Sequence, residues 1–214
     1  MIDVRMFTVG PVQENCYFVR RPGATTAVVI DPGDEAERLL EAQRGLGITT
    51  VEAILITHCH FDHVGAVKAL NEATGAPVYC PAYERVVLAD MSSYMPAEFG
   101  PYQNYEADIT ISGGETLDLA GISFDVRFTP GHSPGHVSYS VQDEESLFSG
   151  DVLFQGSVGR VDLPGGDWPT LLASIDSLIT ELPPQTRVYP GHMGVTTLGE
   201  ERVSNPFLRE LTHR

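Results

Sequence analysis

Apolar positions cluster in three short runs at the start of the chain, VRMFTV, NCYFVR and TTAVVI, parted by Gly10-Pro11 and Pro22-Gly23. Runs of this length, rich in β-branched and aromatic residues and closed by Gly and Pro, predict strands of an antiparallel start. After Asp31-Pro32-Gly33 the period changes. In DEAERLLEAQRGLG, Asp34 is placed as an N-cap, Glu37 follows three residues on, and Gly45 and Gly47 supply the stop, so a helix is expected. The strand VEAILIT then runs into HCHFDH, and HVGAVKALNEATG sets Val64, Val67, Ala69 and Leu70 at helical spacing before Gly75. The histidine cluster is therefore expected on a strand-to-helix loop.

PVYC reads as a short strand and AYERVVLAD as a short helix. Residues 91–107, MSSYMPAEFGPYQNYEA, have no clear period and are long for a connection, which points to a functional lid. Its Tyr94, Phe99, Tyr102 and Tyr105 would give an apolar, hydrogen-bonding wall for an acyl or thiol group, and core filling is the competing role for the same rings. From about residue 108 the pattern returns to strands: ETLDL, ISFDVRF, HVSYSV and SLFS. PTLLASIDSLITEL puts Leu171, Leu172, Ile175, Leu178, Ile179 and Leu182 on one helical face that packs on a core. RVYP is a last strand, and Asn205-Pro206 opens a short terminal helix.

Strands, helix, crossover, strands and helix again imply an α/β protein, an αββα sandwich of two mixed β-sheets flanked by helices. At 214 residues, with 42% hydrophobic and 20% charged, one domain over 1–214 is expected. Each half ends a strand in Pro-Gly-His, at 130–132 and 190–192, a hint of an internal two-fold.

Charge narrows the partners. A formal net charge of −16, from 13 Lys+Arg against 29 Asp+Glu, repels phosphate backbones, so no nucleic acid is expected. The N-terminus has neither a basic start nor an apolar h-region, and no stretch reaches about 18 apolar residues, so no membrane partner and a cytoplasmic protein are expected. Cys16, Cys59 and Cys80 form no CxxC pair, in keeping with a reducing compartment.

Five of the 7 histidines, with two aspartates, fall just after predicted strands: THCHFDH after AILI, PGH after FDVRFT, SGD after SLF and PGH after RVY. Neutral imidazole and carboxylate suit Zn²⁺ and other first-row ions. Four donors in HCHFDH crowd one tetrahedral ion and readily serve two, and two ions about 3.5–4 Å apart need a shared carboxylate, for which Asp151 is the candidate. A single histidine after a strand, His132 or His192 taken alone, is more often a hydrogen-bonded core residue. The HxHxDH cluster is not, because such groups are costly to bury unpaired.

THCHFDH at 57–63, PGH at 130–132, SGD at 149–151 and PGH at 190–192 together resemble the successive motifs of the metallo-β-lactamase superfamily across almost the whole chain. The resemblance implies one metal on His58, His60 and His132, a second on Asp62, His63 and His192, and Asp151 bridging them with a hydroxide. It also makes Asp62, Asp151 and His192 the catalytic residues. Zinc is the expected ion, with iron or manganese as alternatives. Asp31, in IDPG, matches the family's first motif and would hold ligand orientation, although an Asx turn before Pro-Gly explains it as well. GDVLFQGSVGRVDLPGGDW at 150–168 and GEERVSNPFLRE at 199–210 resemble the glyoxalase II-like branch. That branch implies thioester hydrolysis; the 22 residues after His192 are too few for its C-terminal helical domain, so weak glutathione recognition is expected.

His136 is expected to hydrogen-bond rather than ligate, and Cys59, alternating with His58 and His60, to pack away from the metals. Arg160 either braces the site, meets an acidic substrate or makes a surface salt bridge. The activity expected is attack of the bridging hydroxide on a small-molecule thioester, coordination having lowered the pKa of water from about 15.7 to about 7. An iron-dependent persulfide dioxygenase, also found in that branch, is the enzymatic alternative, and a non-catalytic metal-binding scaffold the alternative of another class.

Overall fold

The expected opening hairpin forms in the computed structural model, which describes residues 1–209: β1 (Asp3–Val9) pairs antiparallel with β2 (Glu14–Arg20), and β2 with β3 (Thr26–Ile30). β4 (Thr50–Leu55), β5 (Val78–Pro81) and β6 (Ile109–Ile111) then add in parallel, giving a six-stranded mixed sheet in sequence order. Parallel neighbours need crossovers. These are α1 (Ala36–Gly45) before β4, α2 (Phe61–Val64) and α3 (Val67–Thr74) before β5, and α4 (Arg85–Ala89) and α5 (Met91–Tyr94) before β6.

The second six-stranded sheet comprises β7 (Thr116–Leu119), β8 (Ile122–Phe128), β9 (Val137–Val141), β10 (Ser146–Gly150), β13 (Arg187–Pro190) and β14 (Thr196–Thr197), in the order β14-β13-β10-β9-β8-β7. A two-stranded ribbon, β11 (Leu153–Phe154) and β12 (Ser157–Val158), and two helices, α6 (Trp168–Glu181) and α7 (Leu198–Ser204), complete the chain. β10 and β13 are parallel; the other pairs with assigned registers are antiparallel. Two mixed sheets flanked by helices are thus present, as the strand-helix alternation predicts.

The Cα positions separate into two compact units, Met1–Ile111 with Leu117–Ser123, and Ser112–Thr116 with Phe124 onward. The first has its own apolar cluster, in which Phe18, Val29, Leu39, Ile54, Ile56, Val67 and Leu70 are fully buried. The second packs Leu171, Ile175 and Leu178 of α6 on Leu147, Val152, Leu153 and Val188. Each such side chain contributes about 1.5–3 kcal/mol when removed from water. α6 starts where the Asp167 carboxylate accepts the Thr170 N–H at 2.9 Å, with Pro in the first turn.

Three local expectations are corrected. Asp34 does not cap α1: its carboxylate accepts from its neighbour Glu35, which takes the left-handed cap position itself. Residues 91–107 carry two helical turns, α5 and a 3-10 turn at Ala97–Phe99, and Met91 and Met95 are buried in the first unit's core. The terminal helix expected at Asn205-Pro206 is a 3-10 turn, preceded by α7, whose N-cap Thr197 accepts from Glu200 N–H. Glu210, the last residue of the GEERVSNPFLRE motif, lies outside the described residues. No helix among the described residues is long and apolar enough to cross a membrane.

Candidate metal centre

The HCHFDH segment leaves β4 and enters α2 as expected, with His60 in extended backbone at the helix N-cap. Asp31, at the end of β3, organises it. Its carboxylate accepts the Thr57 N–H at 2.7 Å, the Thr57 hydroxyl at 2.6 Å and the His63 Nδ1–H at 3.0 Å. Because the Thr57 proton goes to Asp31, the Thr57 oxygen accepts from His58 Nδ1, 3.0 Å away. Both His58 and His63 thereby carry the ring proton on Nδ1 and the lone pair on Nε2, the tautomer a metal ligand needs. Asp31 adopts a positive φ of 47°, a backbone state that costs energy and persists where the surroundings hold it.

Within this unit, His58 Nε2 stands 3.1 Å from His60 Nδ1, and His63 Nε2 3.7 Å from Asp62 Oδ2. The turn is backed by Gly33, where a Cβ would sit 1.6 Å from the Asp62 carbonyl oxygen, so the IDPG glycine is required by close approach. Glu14 was not visible as a site residue in the sequence. It opens β2, is fully buried, and brings Oε1 within 3.8 Å of His63 Nδ1; a lone carboxylate heading an apolar strand is the signal that would have found it. Cys59 points into the core, 3.6 Å from Cys80. Burial, with Cys80 alongside, pushes its thiol pKa up, which disfavours the thiolate a metal would require.

In the second unit, Asp151 follows β10 at a register slip between Phe148 and Gly150 against β13, the kind of bulge that re-aims a side chain at a site. One oxygen, Oδ2, lies 3.5 Å from His132 Nε2 and 3.6 Å from His192 Nε2. His132 Nδ1 donates to the Arg160 carbonyl at 2.7 Å, so the lone pair of this ring is also on Nε2. Gly159 makes this possible: a Cβ there would stand 1.8 Å from the Asp151 carbonyl oxygen and 3.1 Å from His132 Nδ1.

These separations test the fit of a metal. Ligand atoms bonded at about 2.0–2.2 Å around one ion stand roughly 3.0–3.6 Å apart at tetrahedral or somewhat narrower angles. The spacings of 3.1, 3.5 and 3.6 Å fall in that range and the 3.7 Å between His63 and Asp62 lies just beyond it; apart from the first, they are too long for hydrogen bonds. The donor set, histidine nitrogen and carboxylate oxygen with the tautomers of His58, His63 and His132 fixed from behind, fits first-row divalent ions.

Of the substrate candidates, Tyr102 lines a cavity of about 140 Å³ in the first unit with Phe61, Asp62, Phe99 and Pro101, where Phe61 and Phe99 stack at 4.2 Å. Tyr105 does not line it; it packs on the core and donates its hydroxyl to Asp108 at 2.8 Å. Arg160 makes a two-pronged salt bridge with Asp162 at 2.6 and 2.7 Å, which holds the Asp162 carboxyl down at about 2. It sits on an open groove with Val158, Val161, Trp168 and Phe207.

The chain belongs to the metallo-β-lactamase superfamily, whose family profile matches residues 9–192. It is 35% identical over 211 residues to the hydroxyacylglutathione hydrolase GloC of Haemophilus influenzae, covering 97% of this chain and 98% of that one. Among solved structures, the BLEG-1 B3 metallo-beta-lactamase is 42% identical with a TM-score of 0.90, covering 98% and 100% of the two chains. TTHA1623 in a di-iron-bound form is 44% identical with a TM-score of 0.84, covering 96% and 100%. The protein is therefore a metal-binding hydrolase of this fold.

Proposed function

We propose that the protein is a glyoxalase II-like thioester hydrolase in which His58, His60, Asp62, His63, His132, Asp151 and His192 hold two divalent ions, zinc foremost, with iron or manganese as alternatives. The observation that carries this reading is the Asp151 carboxylate, one oxygen of which lies 3.5 Å from His132 Nε2 and 3.6 Å from His192 Nε2. Bound ions supply a water acidified toward neutral pH and a polarised carbonyl. The chain's own part is orientation: Asp31 and Thr57 fix the rings of His58 and His63, and the Arg160 carbonyl fixes His132. Thioesters suit such a site because a departing thiolate needs little help from a proton donor, and similarity to GloC over nearly the full length supports the same class.

Discrimination for the glutathione portion is expected to be weak. The chain has only 13 Lys+Arg, and the guanidinium of Arg160 is already engaged by Asp162. Each missing charge-assisted hydrogen bond forfeits about 1.5–3 kcal/mol, so two cost well over tenfold in affinity. The three cysteines, buried as free thiols, support a cytoplasmic setting.

The second reading is an iron-dependent persulfide dioxygenase, for which the di-iron-bound form of TTHA1623 supports iron as an ion this fold accepts and not the activity. Metal analysis of protein purified without added metal, with assays on S-lactoylglutathione, a non-glutathione thioester, a β-lactam and glutathione persulfide, separates the outcomes. Two ions per chain and comparable turnover of both thioesters at high KM are expected. Oxygen uptake with the persulfide by iron-loaded protein supports the dioxygenase, preferential β-lactam cleavage overturns the thioesterase, and bound metal with no turnover supports a scaffold.

A further inference from the structure

We infer that His136, which is not among the metal donors, is a positioning residue that sets the spacing between the loops bearing His132 and Asp151. The inference rests on the two-metal reading only for its consequence, not for its geometry. The Asp151 backbone N–H donates to His136 Nε2 at 3.0 Å. An amide N–H can only donate, so Nε2 carries the lone pair and the ring proton sits on Nδ1. That proton goes to the Thr129 hydroxyl oxygen at 3.0 Å. Thr129 then passes its own proton to Ser138 Oγ at 2.9 Å, and Ser138 donates to the Ser149 carbonyl at 3.2 Å. The Asp151 amide fixes the directions at one end and the Ser149 carbonyl, which can only accept, fixes them at the other.

The circuit leaves the end of β10 at Asp151 and returns to it at Ser149, passing through the foot of the loop that carries His132. That foot is closed by a backbone bond from Thr129 N–H to the His136 carbonyl at 2.9 Å. Thr129, His136, Ser138 and Ser149 are all buried, where hydrogen-bond geometry is held more firmly than at the surface. His136 reaches from the loop that bears His132 to the main chain of Asp151 itself. It holds the Asp151 main chain while the opposite side of that residue is backed by Gly159, so the 3.5 Å spacing from His132 Nε2 to Asp151 Oδ2 depends on it.

The Gln and Asn variants divide its two bonds. In His136→Gln the side-chain oxygen reaches the place of Nε2 and still accepts from Asp151. In His136→Asn the shorter amide keeps a donor for Thr129 and leaves the Asp151 N–H without its acceptor. Zinc binding is measured by chelator competition for wild type and both variants, alongside melting temperature and the kcat and KM for a thioester. His136→Gln is expected within about threefold of wild type, whereas His136→Asn weakens zinc by about tenfold or more, the usual cost of losing an outer partner. In His136→Asn kcat falls more than KM rises.

Nitrogen-15 histidine spectra of the protein as purified give the readout that needs neither activity nor a variant: a protonated Nδ1 and an unprotonated Nε2 for His136, with a large shift of the Asp151 amide signal in His136→Asn. A protonated Nε2, an unmoved Asp151 amide, or equal damage in both variants overturns the positioning role. The expected tautomer and amide shift, found in a wild type that binds no zinc, would support the positioning of Asp151 and overturn the two-metal reading instead.

Discussion

His63 Nδ1 lies 3.0 Å from Asp31 Oδ2, the same carboxylate oxygen that takes the Thr57 hydroxyl at 2.6 Å. Three donors, the Thr57 amide, its hydroxyl and the His63 ring, thus converge on one carboxylate. Asp31→Ala removes the acceptor of all three donors, and Asp31→Asn sets an NH₂ donor against a donor in either flip. Both substitutions are therefore expected to lower metal affinity by about 10–100-fold, measured by competition with a zinc chelator. Wild-type affinity in Asp31→Asn would contradict the arrangement.

The bridging role proposed for Asp151 makes a separate prediction about stoichiometry. Asp151→Ala removes the oxygen that faces both His132 and His192, so both ions should weaken together. His192→Ala should mainly empty one position and leave close to one ion per chain. Metal analysis after equal dialysis decides it; two tightly held ions in Asp151→Ala would show that the carboxylate does not bridge.

How much of this was open to a reader of the sequence depends on where each partner lies along the chain. The histidine loops were legible because each stands directly after an apolar strand: THCHFDH announces itself locally, whereas SGD and both PGH segments gain their meaning only when read together with it. Asp31 was half legible, since IDPG reads equally as an Asx turn until Thr57 and His63 are seen on its carboxylate. Glu14 carried only the weak signal of a carboxylate heading an apolar strand, and its partner His63 on α2 is distant in sequence. Thr129 and Gly159 carried none: their partners His136 and Asp151 are near in the chain, but the hydrogen bond of the one and the close approach of the other exist only after folding. α7 was missed because its seven residues, LGEERVS, bury just Leu198 and Glu201 and carry no strong apolar period.

Gly159 gives a steric prediction with an internal control. Gly159→Ala places a methyl 1.8 Å from a backbone oxygen that cannot swing aside, so Asp151 must shift. A loss of about 1–3 kcal/mol in stability is expected from such overpacking, with weakened metal binding beyond it. Gly45→Ala, in the last turn of α1 with nothing within 4 Å of the new methyl, should be neutral or stabilising by up to about 1 kcal/mol. Thermal melts with and without zinc compare them; equal effects of the two substitutions would remove the close-approach argument.

The tyrosines of the 91–107 segment should separate substrate binding from stability. Tyr102 donates its hydroxyl to the Pro96 carbonyl at 2.6 Å and presents its ring to the cavity that contains Asp62, so it stiffens the segment and walls the space at once. Tyr105 is held differently: its hydroxyl is bound to Asp108, and burial with that carboxylate beside it pushes its pKa up to about 12. Tyr102→Ala is expected to raise the KM for an acyl thioester several-fold with little change in melting temperature. Tyr105→Ala should instead lower the melting temperature by a few degrees, about 1–2 kcal/mol for a partly buried ring, and leave KM near wild type. Tyr102→Phe, which keeps the ring and drops the hydrogen bond to Pro96, should fall between wild type and Tyr102→Ala in KM. If Tyr102→Ala costs stability and leaves KM unchanged, the segment fills the core and does not wall the substrate.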